Sequence, residues 1–229
     1  MEVTHMKNGK NFVFIINGHN GAGKDEFVRL FKQACANHGA HYAVDNISTI
    51  DPIKEMITIP NLWDGKTKDD AARQLMHDIK EAVDKYNGYT TKYVVNKTAQ
   101  FMKDMLTDPI VCRHEGAMGM EDDTEIRTVT FIHCREPEKI SELFNAFIKS
   151  DLKVSVDVIL IRRDSDEIAT NSADQNVENF LYDMYIHNNG TLIDLYACAL
   201  ALKTKCDFYS DVTDSSPYIS DPVHYEKQY

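Results

Sequence analysis

Residues 11–31, NFVFIINGHNGAGKDEFVRLF, decide the fold. They open with an apolar run, Phe12–Ile16, which is rich in β-branched and aromatic residues and has the length of one buried strand. A glycine-rich stretch comes next, and after it apolar residues recur at helical spacing: Phe27, Val28, Leu30 and Phe31. The order strand, glycine loop, lysine, helix is typical of an α/β protein.

The glycine loop consists of Gly18, His19, Asn20, Gly21, Ala22, Gly23, Lys24 and Asp25. It fits the phosphate-binding pattern G-x-x-x-x-G-K-[ST], except that Asp25 stands in the last place. Amides of a first helical turn have no partner inside the helix and can bind phosphate, glycines let the backbone approach closely, and a lysine supplies a point charge. The alternatives are an ordinary glycine turn and a dinucleotide-binding turn. The latter would read G-x-G-x-x-G and would leave Lys24 without a role.

Composition narrows the classes of partner. The chain has 229 residues, of which 43% are hydrophobic and 27% charged, as in a globular protein of one α/β domain. A net charge of −11 argues against a nucleic-acid-binding surface and leaves room only for a local basic site. The five cysteines form no C-x-x-C pair, and no apolar signal or membrane-spanning stretch is present. We therefore expect a cytoplasmic protein with reduced thiols and no membrane partner.

Further strands and helices alternate along the chain. Strands are predicted at 40–45, 127–133 and 153–161, and residues 177–187 fit either a helix or the start of a last strand at 184–186. Helices are predicted from Asp51 to Pro60, from Thr67 to Asn87, from Thr90 or Thr91 to about 105, from Pro137 to about 148, and from Thr191 to about 205. This alternation predicts a mostly parallel sheet with helices on both faces.

The domain organisation follows from this pattern. Residues 1–209 are predicted to form one domain with a helical insertion at about 51–106, and residues 210–229 a polar tail. The acidic stretch within 107–125 is interpreted as a solvated loop in preference to a metal site. A polar stretch follows the fourth strand, from about 162 to 178.

Polar residues follow the predicted strands. The glycine loop, Asp45, Arg135 and Arg162 each come just after one of them. Because the carboxyl ends of parallel strands meet at one edge of the sheet, where ligands bind, we expect these residues to share one site.

Several short motifs carry a family resemblance. In order, they are Gly18 to Asp25, Asp51-Pro52-Ile53-Lys54-Glu55, a strand leading to Arg135, Arg162-Arg163, and Asn188-Asn189-Gly190-Thr191. Their order over about residues 12–205 resembles the P-loop kinase superfamily. Within it the chain looks most like the deoxynucleoside monophosphate kinases of phages and bacteria and the animal-type phosphomevalonate kinases, which share a G-K-D loop ending.

The resemblance implies a three-layer P-loop kinase fold with a five-stranded sheet in the order 2-3-1-4-5. It also implies an acceptor-binding helical segment at about 51–106 and a short lid at about 162–178. Lys24 and the loop amides would hold the phosphates of ATP, and Asp25 would hold Mg²⁺. The implied catalytic residues are Lys24, Arg135, Arg162 and Arg163. Asp51 and Lys54 match a family segment beside the acceptor, and two further residues are expected to bind the acceptor because of their positions: Asp45, after a predicted strand, and Arg73, on the predicted helix from Thr67.

One motif departs from the family pattern. The family's D-V-R motif reads His133-Cys134-Arg135 here, so the acid that usually ends the third strand is absent. The expected activity is phosphoryl transfer from ATP to a small phosphorylated acceptor, with a nucleoside monophosphate as the first choice. The alternatives are a nucleotide-binding regulatory module without transfer, which the histidine motivates, and a kinase of a non-nucleotide phosphate.

Each candidate residue also has an ordinary interpretation. Surface ion pairs would account for Arg135, Arg162 and Arg163, and exposed helix positions for Lys54 and Arg73. Asp45 would then only cap a turn, and His133 would be a core histidine.

Overall fold

A computed structural model describes residues 11–37, 42–67, 69–107, 126–164 and 177–211. The strands are β1 (Asn11–Asn17), β2 (Tyr42–Ser48), β3 (Arg127–His133), β4 (Val154–Arg162) and β5 (Met184–His187). The helices are α1 (Lys24–Asn37), α2 (Asp51–Thr58), α3 (Asp70–Asn87), α4 (Tyr89–Thr107), α5 (Pro137–Lys149) and α6 (Leu192–Asp211), and a 3₁₀ turn covers Val177–Asn179.

The five strands form one parallel sheet in the order β2-β3-β1-β4-β5. The central strand β1 pairs along its length with β3 on one side and β4 on the other, so that Phe14 lies between Phe131 and Asp157. The prediction of a three-layer α/β fold with strand order 2-3-1-4-5 is confirmed.

Alternation along β1 divides the core into two layers. Phe12, Phe14 and Ile16 pack with α1 and α6 on one face of the sheet. Val13 and Ile15 pack with residues of α4 and α5 on the other face. Successive side chains of a strand point to opposite faces, so a strand that is apolar throughout must be covered twice. This explains why β1 is a continuous apolar run.

A third, smaller cluster joins α2 to α3 through Ile53, Ile57 and Met76. Buried lysines tie the helical segment to the domain: Lys139 of α5 lies 2.9 Å from Asp84 of α3, and Lys80 of α3 lies 2.7 Å from Glu136. The predicted helical insertion between the second and third strands is therefore present as α2, α3 and α4.

Some boundaries differ from those predicted. β2 continues to Ser48, so the prediction that Asp45 ends this strand is wrong: it pairs with Thr130 inside the sheet. α3 begins at Asp70, because the Asp69 carboxylate accepts the amide hydrogen of Ala72 and caps the helix two residues beyond the predicted cap. α6 continues to Asp211, past the predicted start of the tail.

Residues 177–187 form the 3₁₀ turn and then β5, which settles the ambiguity in favour of a strand. The acidic stretch at 108–125, most of the predicted lid (165–176) and residues 212–229 of the predicted tail lie outside the described residues. In the part of the chain that is described, no helix is long and apolar enough to cross a membrane.

Substitution of Phe131 tests the core. Its ring is fully buried and lies 5.1 Å from Phe31 and 5.4 Å from Phe14, between centroids. We expect Phe131→Ala to lower the free energy of unfolding by about 3–5 kcal/mol because it leaves a cavity between sheet and helix. Urea denaturation gives this value, and Ile148→Ala, at a side chain that is 62% exposed on α5, is the control and should change it little.

Candidate functional site

The candidate site lies at the carboxyl edge of the sheet. The glycine loop follows β1, α2 begins three residues after β2, and Arg135 lies two residues beyond the end of β3. Arg162 is the last residue of β4, and Asn188 comes directly after β5. Five parallel strands thus deliver their following residues to one edge, as the strand order requires.

Three glycines give the loop its shape. Gly18, Gly21 and Gly23 have φ angles of +144°, +83° and +95°, which side-chain-bearing residues rarely adopt. A Cβ atom on Gly18 would run into the carbonyl oxygen of Ile161, and one on Gly23 would run into the side-chain amide of Asn188. The loop is therefore packed directly against β4 and the residue after β5.

Asn188 holds the loop from the other side. Its Nδ2 donates to the carbonyl oxygen of Ala22 at 2.9 Å, and its backbone amide donates to the carbonyl oxygen of Arg162 at 2.7 Å. One residue after β5 therefore fixes both the loop and the end of β4.

Lys24 is the first residue of α1 and turns back over the loop. Its Nζ donates to the carbonyl oxygens of Gly18, at 2.5 Å, and His19, at 2.7 Å. The ammonium is a compact charge with three rotatable donors, and α1, whose first-turn amides have no partner inside the helix, begins at this same residue. The loop therefore presents a positive charge and a helix N-terminus together, which is the electrostatic requirement for an anion site.

Asp25 and His133 meet beside the loop. The Asp25 carboxylate is exposed, and its Oδ1 lies 3.6 Å from Nε2 of His133, which is also 2.7 Å from Oδ1 of Asn46 on β2. Both neighbours are acceptors, so they favour the tautomer in which Nε2 carries the hydrogen. Burial lowers the pKa of His133 to about 4 in spite of Asp25, which acts to raise it. The ring is therefore neutral near pH 7 and adds no charge to the site.

Arg162 takes part in a second charged group at this edge. Its Nη2 lies 3.1 Å from Oε2 of Glu178 in the 3₁₀ turn, and the other carboxylate oxygen is 3.9 Å from Nε2 of His19. Nδ1 of His19 is buried and has no hydrogen-bond partner among the described residues. Glu178 thus links the glycine loop to the arginine that ends β4.

The first turns of α2 form the side of the site next to β2. The Asp51 carboxylate accepts the amide hydrogen of Ser48 at 2.7 Å and the Lys54 ammonium at 2.9 Å. On the same helix, Glu55 accepts the hydroxyl hydrogen of Tyr93 from α4 at 2.9 Å. Burial, followed by this carboxylate, raises the pKa of Tyr93 to about 12, so the phenol remains a donor.

The remaining predicted site residues have fewer contacts that tie them to the site. Arg135 is half-buried just beyond β3, and Arg163 is exposed just beyond β4. Arg73 lies in the first turn of α3, is exposed, and pairs with Asp70 at 3.5 Å. The Asp45 carboxylate accepts the amide hydrogen of Asn46 within β2. The structure therefore brings five of the predicted residues to the carboxyl edge of the sheet: Lys24, Asp25, Asp51, Lys54 and Arg162. It supports Asp45 and Arg73 less well as members of the site.

Mg²⁺ commonly binds proteins through one or two carboxylates and completes its shell with phosphate oxygens and water. In the described ranges, no group of three or more His, Cys, Asp or Glu side chains is arranged to hold a metal ion. The exposed Asp25 carboxylate, directly after Lys24, fits an ion that is held mainly by phosphates. His133 does not fit as a ligand through Nε2, because that atom already contacts Asn46.

Sequence reasoning missed three polar residues of the site: Asn17, Asn46 and Glu178. Asn17 ends β1 and is fully buried, with its amide bonded to the start of the glycine loop. A signal was present for Asn17, which is the polar end of an apolar run, but not for Glu178, which pairs with an arginine distant in the sequence. Asn46 had no such signal, because the register of β2 beside β3 decides that it lies next to His133.

Comparison with known proteins adds no relative to this picture. The chain matches no model of a known protein family, and a search of curated proteins finds no match.

The neutral His133 gives a pH prediction. Its folded pKa of about 4 lies below the ordinary value of 6.5, so the unfolded chain binds the proton first as pH falls. Above pH 6.5, His133 therefore takes nothing from the free energy of unfolding. As pH falls toward 4, protonation of the unfolded chain lowers this free energy by at most roughly 3 kcal/mol.

His133→Gln replaces the imidazole N–H donor with an amide N–H donor and removes the titration. Urea denaturation at pH 7 and at about pH 4.5 should show a smaller loss of stability on acidification for this variant than for the parent. Equal losses in the two proteins would contradict a lowered pKa, and an NMR titration of the His133 ring measures that pKa directly.

Proposed function

We propose that this chain is an ATP-dependent phosphotransferase that acts on a small phosphorylated acceptor, with a nucleoside monophosphate as the first candidate. The observation that carries the proposal is the glycine loop itself. Three glycines at positive φ, a helix N-terminus and the Lys24 ammonium converge at the end of the central strand. This combination suits a polyphosphate and would have little purpose in an ordinary turn.

The residues of the chain would act mainly by position and charge. Lys24 would exchange its carbonyl partners in the loop for phosphate oxygens, which are stronger acceptors. Arg162 would leave Glu178 to neutralise charge on the transferred group, with Arg135 and Arg163 near the same edge. Phosphoryl transfer requires little covalent chemistry from the protein, so holding donor and acceptor in line accounts for much of the rate.

The acceptor would bind beside α2. Lys54 supplies a cation there, and Tyr93 supplies a phenol hydrogen, both now engaged with carboxylates of the same helix. These groups suit a ligand that combines an anion with a polar ring or sugar. Asp45 and Arg73 remain weaker candidates, because one lies inside β2 and the other on an exposed turn of α3.

Mg²⁺ bound with the phosphates would neutralise part of their charge and orient them. Asp25, whose carboxylate is exposed directly after Lys24, would hold the ion, directly or through a water molecule. His133 would keep its hydrogen bond to Asn46 and stay neutral, so it would not repel the ion.

An assay of ATP consumption tests the proposed activity. A panel of nucleoside monophosphates, with inorganic phosphate and phosphorylated non-nucleotides as further acceptors, should give turnover with at least one nucleotide. Turnover only with a non-nucleotide acceptor would move the proposal to that substrate class. Binding of ATP without turnover on any acceptor would contradict the kinase proposal and favour a regulatory module.

Lys24→Ala should abolish the increase in melting temperature that Mg·ATP produces and lower any turnover by roughly 100-fold or more. The control is Lys32→Ala, which removes an exposed lysine farther along α1 and should behave as the parent. Equal melting shifts with Mg·ATP in Lys24→Ala and the parent would show that the loop does not bind phosphate.

Arg162→Ala should lower kcat by roughly 100-fold or more while the Kd for Mg·ATP changes little, because its charge would act mainly in the transition state. Arg29→Ala, which removes a surface arginine paired with Glu26, serves as the control. A loss confined to ATP affinity would contradict the assigned role.

A further inference from the structure

A single buried amide connects three segments of the candidate site. Asn17, the last residue of β1, is fully buried. Its Oδ1 accepts the amide hydrogen of Gly18 at 2.7 Å, and its Nδ2 donates to the carbonyl oxygen of Arg135 at 3.1 Å and to the hydroxyl of Tyr182 at 2.7 Å. The Tyr182 hydroxyl, also buried, donates to the carbonyl oxygen of Val177 at 2.6 Å.

The hydrogen bonds fix the orientation of this amide. Gly18 offers only an N–H and Arg135 offers only a carbonyl oxygen, so exchanging the oxygen and nitrogen of Asn17 would leave both unmatched. Nδ2 donates both of its hydrogens, and the Tyr182 hydroxyl donates its own hydrogen to the carbonyl oxygen of Val177. Aspartate would lack the two donors and leucine would lack all three bonds, so the position requires asparagine.

We infer that Asn17 is a positioning residue that transmits occupancy of the glycine loop to the two arginine-bearing segments beside it. The inference rests on the proposed function, since it takes an anion in the loop as the signal. One branch runs directly to the backbone of Arg135. The other runs through Tyr182 to the 3₁₀ turn, where Glu178 holds Arg162.

The physical basis is the rigidity of a buried polar network. The pairing of β1 with β3 ends at Ile16, and Asn17 pairs only with Leu160 of β4, so the peptide that joins Asn17 to Gly18 is the point where the sheet passes into the loop. The Gly18 amide hydrogen belongs to that peptide, and a tilt of the peptide on ligand binding would turn the planar side-chain amide of Asn17 as a unit. Breaking any of the bonds would leave a buried group unsatisfied, so the partners move with the amide.

Two substitutions test the two branches of hydrogen bonds separately. Tyr182→Phe removes only the hydroxyl, so it breaks the branch to Val177 and leaves the bond from Asn17 to Arg135. In Asn17→Ser, the serine side chain is too short to reach both Arg135 and Tyr182, so this substitution should break both branches. A residue whose role is only to stabilise the core would not produce this branch-specific difference.

The experiment is a titration of the ¹⁵N-labelled full-length chain with Mg·ATP, followed by backbone amide NMR. In the parent, signals of the loop (Gly21, Gly23), of Glu136 and of Glu178 should all shift. In Tyr182→Phe, the loop and Glu136 should shift as before, while the shift at Glu178 should be clearly smaller than in the parent, and the part that remains comes from the direct contacts of its carboxylate with His19 and Arg162. In Asn17→Ser, the loop signals should shift as in the parent, while the shifts at Glu136 and at Glu178 should both be smaller.

The outcomes separate the two proposals. Absence of loop shifts in the parent would contradict the proposed phosphate binding itself. Loop shifts in the parent without shifts at Glu136 and Glu178 would overturn the role of Asn17 while leaving phosphate binding intact. Equal shifts at Glu178 in the parent and Tyr182→Phe would also overturn it. If Asn17→Ser fails to fold, the comparison of Tyr182→Phe with the parent still decides.

Discussion

The complete burial of β1 is the constraint on which the rest of the structure depends. This strand pairs with β3 from Asn11 to Ile16 and with β4 from Asn11 to Asn17, and it is covered by helices on both faces. Its backbone can reach neither water nor a sheet edge until it ends at Asn17. The chain must therefore turn at a point where buried polar groups still need partners, and the glycine loop and the Asn17 amide supply them.

The same constraint concentrates charge at one edge of an acidic protein. The net charge is −11, yet Lys24, Lys54, Arg135 and Arg162 all lie near the carboxyl ends of the strands. Acids hold two of these cations in place: Asp51 pairs with Lys54, and Glu178 pairs with Arg162. Such pairs keep the cations ordered, and an incoming anion would have to compete with carboxylates for them. The acids would thereby disfavour weakly charged ligands.

The strands, the helices and the burial of the sheet on both faces could be predicted from the sequence because they depend on local patterns, whereas the strand order was implied only by the family resemblance. Apolar runs of strand length alternate with amphipathic helices, and the glycine loop identifies the strand that carries the site. The end of β2 could not be predicted, since residues 46–48 are strand only because β3 lies beside them. The cap of α3 was misplaced because Asp69 and Thr67 are both plausible caps and packing decides between them.

The residues of the candidate site also divide into those that the sequence identifies and those that it does not. Lys24 and Asp25 were identified from the glycine-loop motif, and Arg162 from its place at the end of a predicted strand. Asn46 and Glu178 were not identified, and Asn188 was named only as part of a motif without a role, because their contacts depend on register and on distant parts of the chain. His133 shows both sides of this division: the interpretation as a core histidine agrees with its burial, but its contacts with Asn46 and Asp25 depend on register and on the shape of the loop.

The contact between Asn188 and the glycine loop has a consequence for how the protein is made. The two hydrogen-bonded residues, Asn188 and Ala22, are 166 positions apart. During synthesis, β1 and α1 emerge from the ribosome early, but the loop between them lacks this support until β5 and the following residue have been added. We therefore expect nascent chains that stop before residue 188 to contain the motif without its finished shape. Ligand binding would then be acquired late, by closure of the sheet at its last strand.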